Sequence, residues 1–248
     1  MNALRSAFSY FSILPVGFSN APGADALAAL PLVGLAIGGI AGLAGWFSGS
    51  LLPAPLAIVV AFAAGLALSG AIHLDGFLDA CDALFASVPA ARRFEILKDP
   101  RHGTYALAGL AVVVPAWLAA LAAIPPAAWP WSLAFCAGTA RAAAVLNAIR
   151  VPYAPGGASA RAFHERPGLP LLGAGVLACA ACCWSHPWFA LLLFPAAGLA
   201  LLLGMWCAGR LDGVLAGDCY GAIVVVVEVA LLAAVAEGIA LTAGTASR

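Results

Sequence analysis

Long apolar stretches, interrupted by short polar or Pro- and Gly-containing joints, run from residue 27 to residue 242. A helix needs about 20 mostly apolar residues to cross a bilayer. On that measure the pattern predicts seven spans, at 27–48, 54–72, 105–124, 131–149, 169–185, 188–207 and 220–242. The fifth is short, and only Ser185-His186-Pro187 separates it from the sixth. Ahead of them, residues 2–14 set Ser6, Ser9 and Ser12 opposite Leu4, Phe8 and Phe11. That spacing predicts a short interfacial helix ending near Pro15, and no cleavable signal peptide is expected. The expected fold class is all-α: a polytopic membrane bundle of about seven helices forming one domain over residues 1–248, with 1–25 as an interfacial segment.

The charges fix an orientation. Arg5, then Arg92, Arg93, Lys98 and Arg101, then Arg150, Arg161 and Arg166, then Arg210 fall in alternate joints. The joints near 49–53, 125–130 and 185–187 contain no Lys or Arg, and Arg248 is the single exception to the alternation. The positive-inside rule puts the N-terminus and the charged joints in the cytoplasm. Trp129, Trp131, Trp184 and Trp188 flank the uncharged joints and read as an aromatic belt.

Composition agrees with a bilayer as solvent: the chain is 64% hydrophobic and 9% charged, with mean hydropathy +1.04. Soluble domains carry roughly 25% charged residues. The net charge of zero argues against a nucleic-acid partner. The seven Cys show no zinc-type spacing with His and read as small packing residues, with no disulfide implied.

Most of the remaining polarity lies between His73 and Gly103. If helix continues from the second span through residue 86, Asp79 lies roughly 40° from Asp75 and Asp82 roughly −20°. The three carboxylates then share one stripe, and no Lys or Arg occurs between residues 73 and 91 to neutralise them. Like charges this close favour a bound cation, and Mg²⁺ suits an all-oxygen donor set. Asp75, Asp79 and Asp82 are the expected metal ligands. Next comes Arg92-Arg93-Phe-Glu95-Ile-Leu-Lys98-Asp99-Pro100-Arg101-His102-Gly103, helical to about residue 98 and irregular after it. Lys98 and Arg101 are suited to a diphosphate. Arg92 and Arg93 fit positive-inside anchoring, and Arg93 also counts among the substrate-binding candidates.

Arg141, inside the fourth span, is expected to face a polar cavity and is a further substrate-phosphate candidate. Glu228 should face inward, toward Arg141. Asp218, at the start of the last span, can complete the metal shell or act as base; Asp82 and His73 are the other candidate bases. His73 qualifies if the helix starts after it. The Gly- and Pro-rich segment 150–168 reads as a ligand-contact loop or lid. His164 and His186 read as surface residues. Carboxylates for a divalent cation, next to cations for phosphate, point to phosphoryl or pyrophosphoryl transfer. A CDP-alcohol or prenyl-diphosphate transferase and a transporter are the rivals. The chain lacks the Gly-x-x-Ala-Arg element of the first, and no repeat typical of the last is visible.

The motif His73-Leu-Asp75-Gly76-x-x-Asp79-x-x-Asp82, followed by Arg93-x-Glu95-Ile-Leu-Lys98-Asp99-x-Arg101-x-Gly103, resembles the cobalamin synthases, the adenosylcobinamide-GDP ribazoletransferases. Pro31-Leu-Val-Gly34-Leu-Ala-Ile-Gly38, Arg141, Pro152-Tyr153-Ala154 and Gly217-Asp218-x-x-Gly221-Ala222 extend the likeness over nearly the whole chain. Asp212, in a segment that usually reads Leu-Gly-Gly, departs from it. The resemblance implies an Mg²⁺-dependent enzyme of the bacterial inner membrane, with homo-oligomerisation left open. Its reaction would join adenosylcobinamide-GDP to α-ribazole or α-ribazole 5′-phosphate, with release of GMP.

Overall fold

The computed structural model describes residues 3–17, 24–155, 167–182 and 187–246. These residues form eleven α-helices: α1 (Ala3–Phe11), α2 (Ala24–Ala28), α3 (Leu30–Ser48), α4 (Ala54–Ser69), α5 (Ile72–Phe85), α6 (Ala90–Ile96), α7 (Thr104–Ala122), α8 (Trp129–Arg150), α9 (Leu169–Ala181), α10 (Leu193–Arg210) and α11 (Gly217–Ala246). Short 3₁₀ turns precede α8 and α10. Among the described residues the only β pairing is one parallel bridge between Tyr153 and Leu215.

Each of the seven expected apolar stretches carries a helix. Five, α3, α7, α8, α10 and α11, are long and apolar enough to cross a membrane, so the protein is a multi-pass membrane protein. The α4–α5 pair makes a sixth if counted as one span, and α9 is a shorter apolar helix. The second span does not continue as one helix through the acidic stripe, as the sequence suggested. It stops at Ser69, and α5 leaves at 89°. Gly70 (φ +61°) and Ala71 (φ +56°) both adopt the left-handed conformation. Their N–H groups close the end of α4 on the carbonyls of Ala67 and Leu66. We take α4 as the spanning segment; α5 turns away from it and packs along the first half of α7 and against α11.

Helix α8 is the hub, buried over most of its length against α3, α9, α10 and α11. One face of α3 carries Gly34, Gly38 and Gly42 at four-residue spacing, and here glycine is obligatory. A Cβ on Gly38 would stand 2.2 Å from the Leu133 carbonyl oxygen, and one on Gly34 2.5 Å from that of Ala137. Such small-residue contacts let backbones approach where lipid supplies no hydrophobic drive. On the other side of α8, Asn147 reaches α10, donating to the Ala200 carbonyl at 3.0 Å beside Gly204.

The segments expected on the charged side meet at one end. Ile13 N–H bonds to Leu68 O, and Ala154 N–H to Leu215 O. Arg93 donates to Arg210 O at 2.9 Å, and Arg210 to Leu84 O at 2.6 Å. Arg161, Arg166, His164 and most of the expected lid lie outside the described residues, as do Trp184 and His186. At the opposite end one expectation changes. Trp129 is 2% exposed and donates to Ile124 O, so it is a core residue; Trp46, Phe47 and Phe194 are exposed aromatics among the described residues there. The N-terminal helix is one-sided, with Ser6, Ala7 and Phe11 buried and Leu4 exposed.

Candidate active site

The turn at Gly70-Ala71 lays α5 across α11, and the contact uses two glycines. A Cβ on Gly76 would meet the Asp218 Cα at 3.0 Å, and a Cβ on Gly221 would meet the His73 carbonyl oxygen at 2.9 Å. This close crossing sets Asp218, in the first turn of α11, against the acidic stripe of α5. The structure therefore brings together Asp75, Asp79 and Asp218.

Asp75 is open, with its side chain 67% exposed, and Asp79 is more enclosed at 17%. Burial raises the pKa of the Asp79 carboxyl above the usual carboxylate range, and the neighbouring Asp75 charge adds to the rise. His102 bridges the pair, its Nδ1 3.4 Å from Asp79 and its Nε2 3.9 Å from Asp75. The sequence reading gave His102 no role. Its signal was available, because Pro100 and Gly103 make an irregular loop directly after the basic cluster, able to fold back on the stripe.

Asp82 points elsewhere. Its carboxylate accepts N–H bonds from Gly103 at 2.5 Å and Ala106 at 3.0 Å, closing the N-terminus of α7. This is a capping role, favoured by the partial positive charge of a helix start. Among the described residues no three His, Cys, Asp or Glu side chains form a ready-made metal cage. The expected trio thus becomes an Asp75–Asp79 pair faced by Asp218. Such a set still fits Mg²⁺, which is commonly held by one or two carboxylates together with water and substrate phosphates.

The basic residues separate in the same way. Lys98 is exposed and lines a cavity of about 480 Å³, together with Asp75, Asp218, Tyr153 and His73. Arg101 is 85% exposed and forked onto Asp99 at 2.7 and 2.9 Å, and these bonds hold the Asp99 carboxyl down at about 2. It does not line the cavity. Arg93 spends its guanidinium on the carbonyls of Ala86 and Arg210, tying α6 to the ends of α5 and α10. Its place is structural rather than at a substrate.

Arg141 is buried and paired with Glu228 at 3.2 Å, as the sequence suggested for two charges inside spans. Trp117 Nε1 donates to the other Glu228 oxygen at 3.2 Å. The pair lines a second, smaller cavity of about 90 Å³, which shares His73 and Val224 with the first but is not lined by Asp75, Lys98 or Asp218. His73 lies within α5 rather than before it, and its ring stacks on Phe11. Its Nε2 is sealed from the cavity and has no hydrogen-bond partner, so the structure does not present it as a base.

Tyr153 is delivered by the short pairing of Pro152-Tyr153-Ala154 with Leu215, which places its hydroxyl beside Gly217. Asp212 holds the left-handed turn after α10 at φ +52°, followed by Gly213 at +87°. Asp tolerates that conformation better than most side chains, which accounts for it where glycine is usual.

The sequence profile of the cobalamin-5-phosphate synthase family matches residues 3–236. The chain belongs to that family. It is 34% identical to the adenosylcobinamide-GDP ribazoletransferase of Deinococcus radiodurans, over 93% of this chain and 84% of that one. It is also 34% identical to the enzyme of the same name from Chlorobaculum parvum, over 93% of each chain. A third relative of that name, from Roseiflexus sp., is 32% identical over 93% of this chain and 87% of its own length. No solved structure matches. The family match sets aside the CDP-alcohol transferase, prenyl-diphosphate transferase and transporter alternatives.

Proposed function

We propose that this chain transfers the adenosylcobinamide phosphate group of adenosylcobinamide-GDP to α-ribazole, or to α-ribazole 5′-phosphate, releasing GMP. The observation that carries this reading is that Asp75, Asp218 and Lys98 line one cavity in a chain matched by the family over residues 3–236. The site would work at the cytoplasmic face of a bacterial inner membrane, where the Arg- and Lys-bearing segments gather.

The chemistry follows from the side chains. The 3′-hydroxyl of the ribazole attacks the phosphorus on the corrinoid side, a new P–O bond forms, and the P–O bond to GMP breaks. The hydroxyl proton passes to a carboxylate. Asp218 is the better acceptor of the two acidic candidates, because both Asp82 oxygens are held by backbone N–H groups. Lys98 sits where charge develops on the departing GMP phosphate. Asp75 and Asp79 are the residues that would hold Mg²⁺, leaving Asp218 beside them to take the proton. When bound, that ion supplies positive charge to the diphosphate oxygens. His102 would give way to it or hold the pair in register.

The test is an assay of membranes containing this protein with adenosylcobinamide-GDP labelled in the guanylate and with α-ribazole. Labelled GMP should appear only when both substrates are present. No release above that of empty membranes would overturn the assignment.

A further inference from the structure

We infer that the 480 Å³ cavity is the α-ribazole site, entered base first, and that the corrinoid nucleotide engages only its mouth. This rests on the function proposed above and assigns its two substrates to different places. Size is the first argument. Cavities of about 300–1,000 Å³ enclose drug-sized ligands, the class to which a benzimidazole nucleoside belongs. A corrin macrocycle carrying a nucleoside diphosphate is several times larger and cannot enter.

Polarity is the second argument. Asp75 and Lys98 are exposed at the mouth, whereas Phe11, Leu27, Leu30 and Val145 form a wall in which each residue is at most 6% exposed. Tyr153 and Tyr220 add two rings with centroids 6.2 Å apart. Such a wall suits a flat ring with little hydrogen-bonding demand. Guanine would bring an amino group, an oxo group and a ring N–H against Phe11, Leu27, Leu30 and Val145, whose side chains offer them no partner. The dimethylbenzimidazole ring of α-ribazole brings one ring nitrogen and two methyl groups. With the base inside, the ribose comes level with Asp218 and its hydroxyl faces the mouth.

The test uses the full chain in lipid nanodiscs. In the unsubstituted protein, α-ribosides carrying a purine base should show KM at least about tenfold above that of α-ribazole. Ala154 also lines the cavity, and Ala154→Leu should raise KM for α-ribazole about tenfold while moving that for adenosylcobinamide-GDP less than twofold. Equal KM across the base series would overturn the inference, and this arm stands even if the variant fails to fold. So would a variant whose defect falls on adenosylcobinamide-GDP instead. Absence of turnover in the unsubstituted protein would instead refute the function on which the inference rests.

Discussion

Gly221 of α11 packs on Gly76 of α5 so closely that a Cβ added to Gly221 would lie 3.2 Å from the Gly76 Cα. This contact connects the acidic stripe to Asp218. Gly221→Val should wedge the two helices apart, cost about 1–3 kcal/mol of stability, and reduce GMP release at least about tenfold. Gly173→Ala is the control, since nothing lies within 4 Å of a Cβ there. Thermal unfolding in detergent and the release assay check both. An active, stable Gly221→Val protein would show that the crossing does not position Asp218.

Asp79 is the more enclosed member of the carboxylate pair and the one with a raised pKa. Asp79→Asn keeps its shape but removes the charge that would hold a cation. It should abolish turnover, by at least about a hundredfold, in a protein that still inserts and folds. The unsubstituted protein should lose activity in chelator and regain it on adding Mg²⁺. Full rates in the variant, or indifference to chelator, would end the metal assignment.

Asp75, Asp79 and Asp82 show what spacing can and cannot reveal. Helical periodicity placed the three on one stripe, and the structure keeps Asp75 and Asp79 together there. Nothing in the periodicity said that the N-terminus of α7 would take Asp82, because a cap across 21 residues is a tertiary contact. The break at Gly70-Ala71 was hidden for a different reason. Hydropathy stays high through it, and only backbone conformation distinguishes a straight span from one that turns by 89°. By contrast, Arg141 and Glu228 were legible as partners because charge inside a span has few stable alternatives to pairing. For His102 the irregular loop between Pro100 and Gly103 was the one signal, since its partners lie more than 20 residues upstream.

The capping geometry of Asp82 separates two roles for that residue. Asn can accept one of the two N–H bonds through its Oδ1 but sets an NH2 against the other, and it cannot take a proton. Asp82→Asn should therefore keep part of the cap and most of the activity, whereas Asp82→Ala should lose about 0.5–2 kcal/mol and displace the loop that carries His102. An inactive but fully folded Asp82→Asn protein would return Asp82 to the list of bases or metal ligands.

Lys98 and Arg101 stand three residues apart and have different surroundings. Lys98→Ala should raise KM for adenosylcobinamide-GDP about tenfold or more and affect α-ribazole less, because a diphosphate loses a charged partner. Arg101→Ala removes an exposed pair with Asp99, of a kind worth little, and should change either KM by less than about threefold. Steady-state kinetics with each substrate varied in turn distinguishes them. Equal effects of Lys98→Ala on both substrates would count against a diphosphate contact.

The Arg141–Glu228 pair should govern stability more than chemistry. Glu228→Ala strands a buried guanidinium and an indole N–H, and breaking a buried ion pair in this way costs about 3–5 kcal/mol. Removing both charges with Arg141→Met and Glu228→Leu should recover much of that loss, since an apolar pair of similar volume needs no partner in the bundle. Arg141 does not line the cavity that holds Asp75, Lys98 and Asp218, so the double variant should keep KM for adenosylcobinamide-GDP within about twofold of the unsubstituted value. Unfolding curves and kinetics on the single and double variants form the cycle. A stable double variant that no longer binds adenosylcobinamide-GDP would place Arg141 at the phosphates after all.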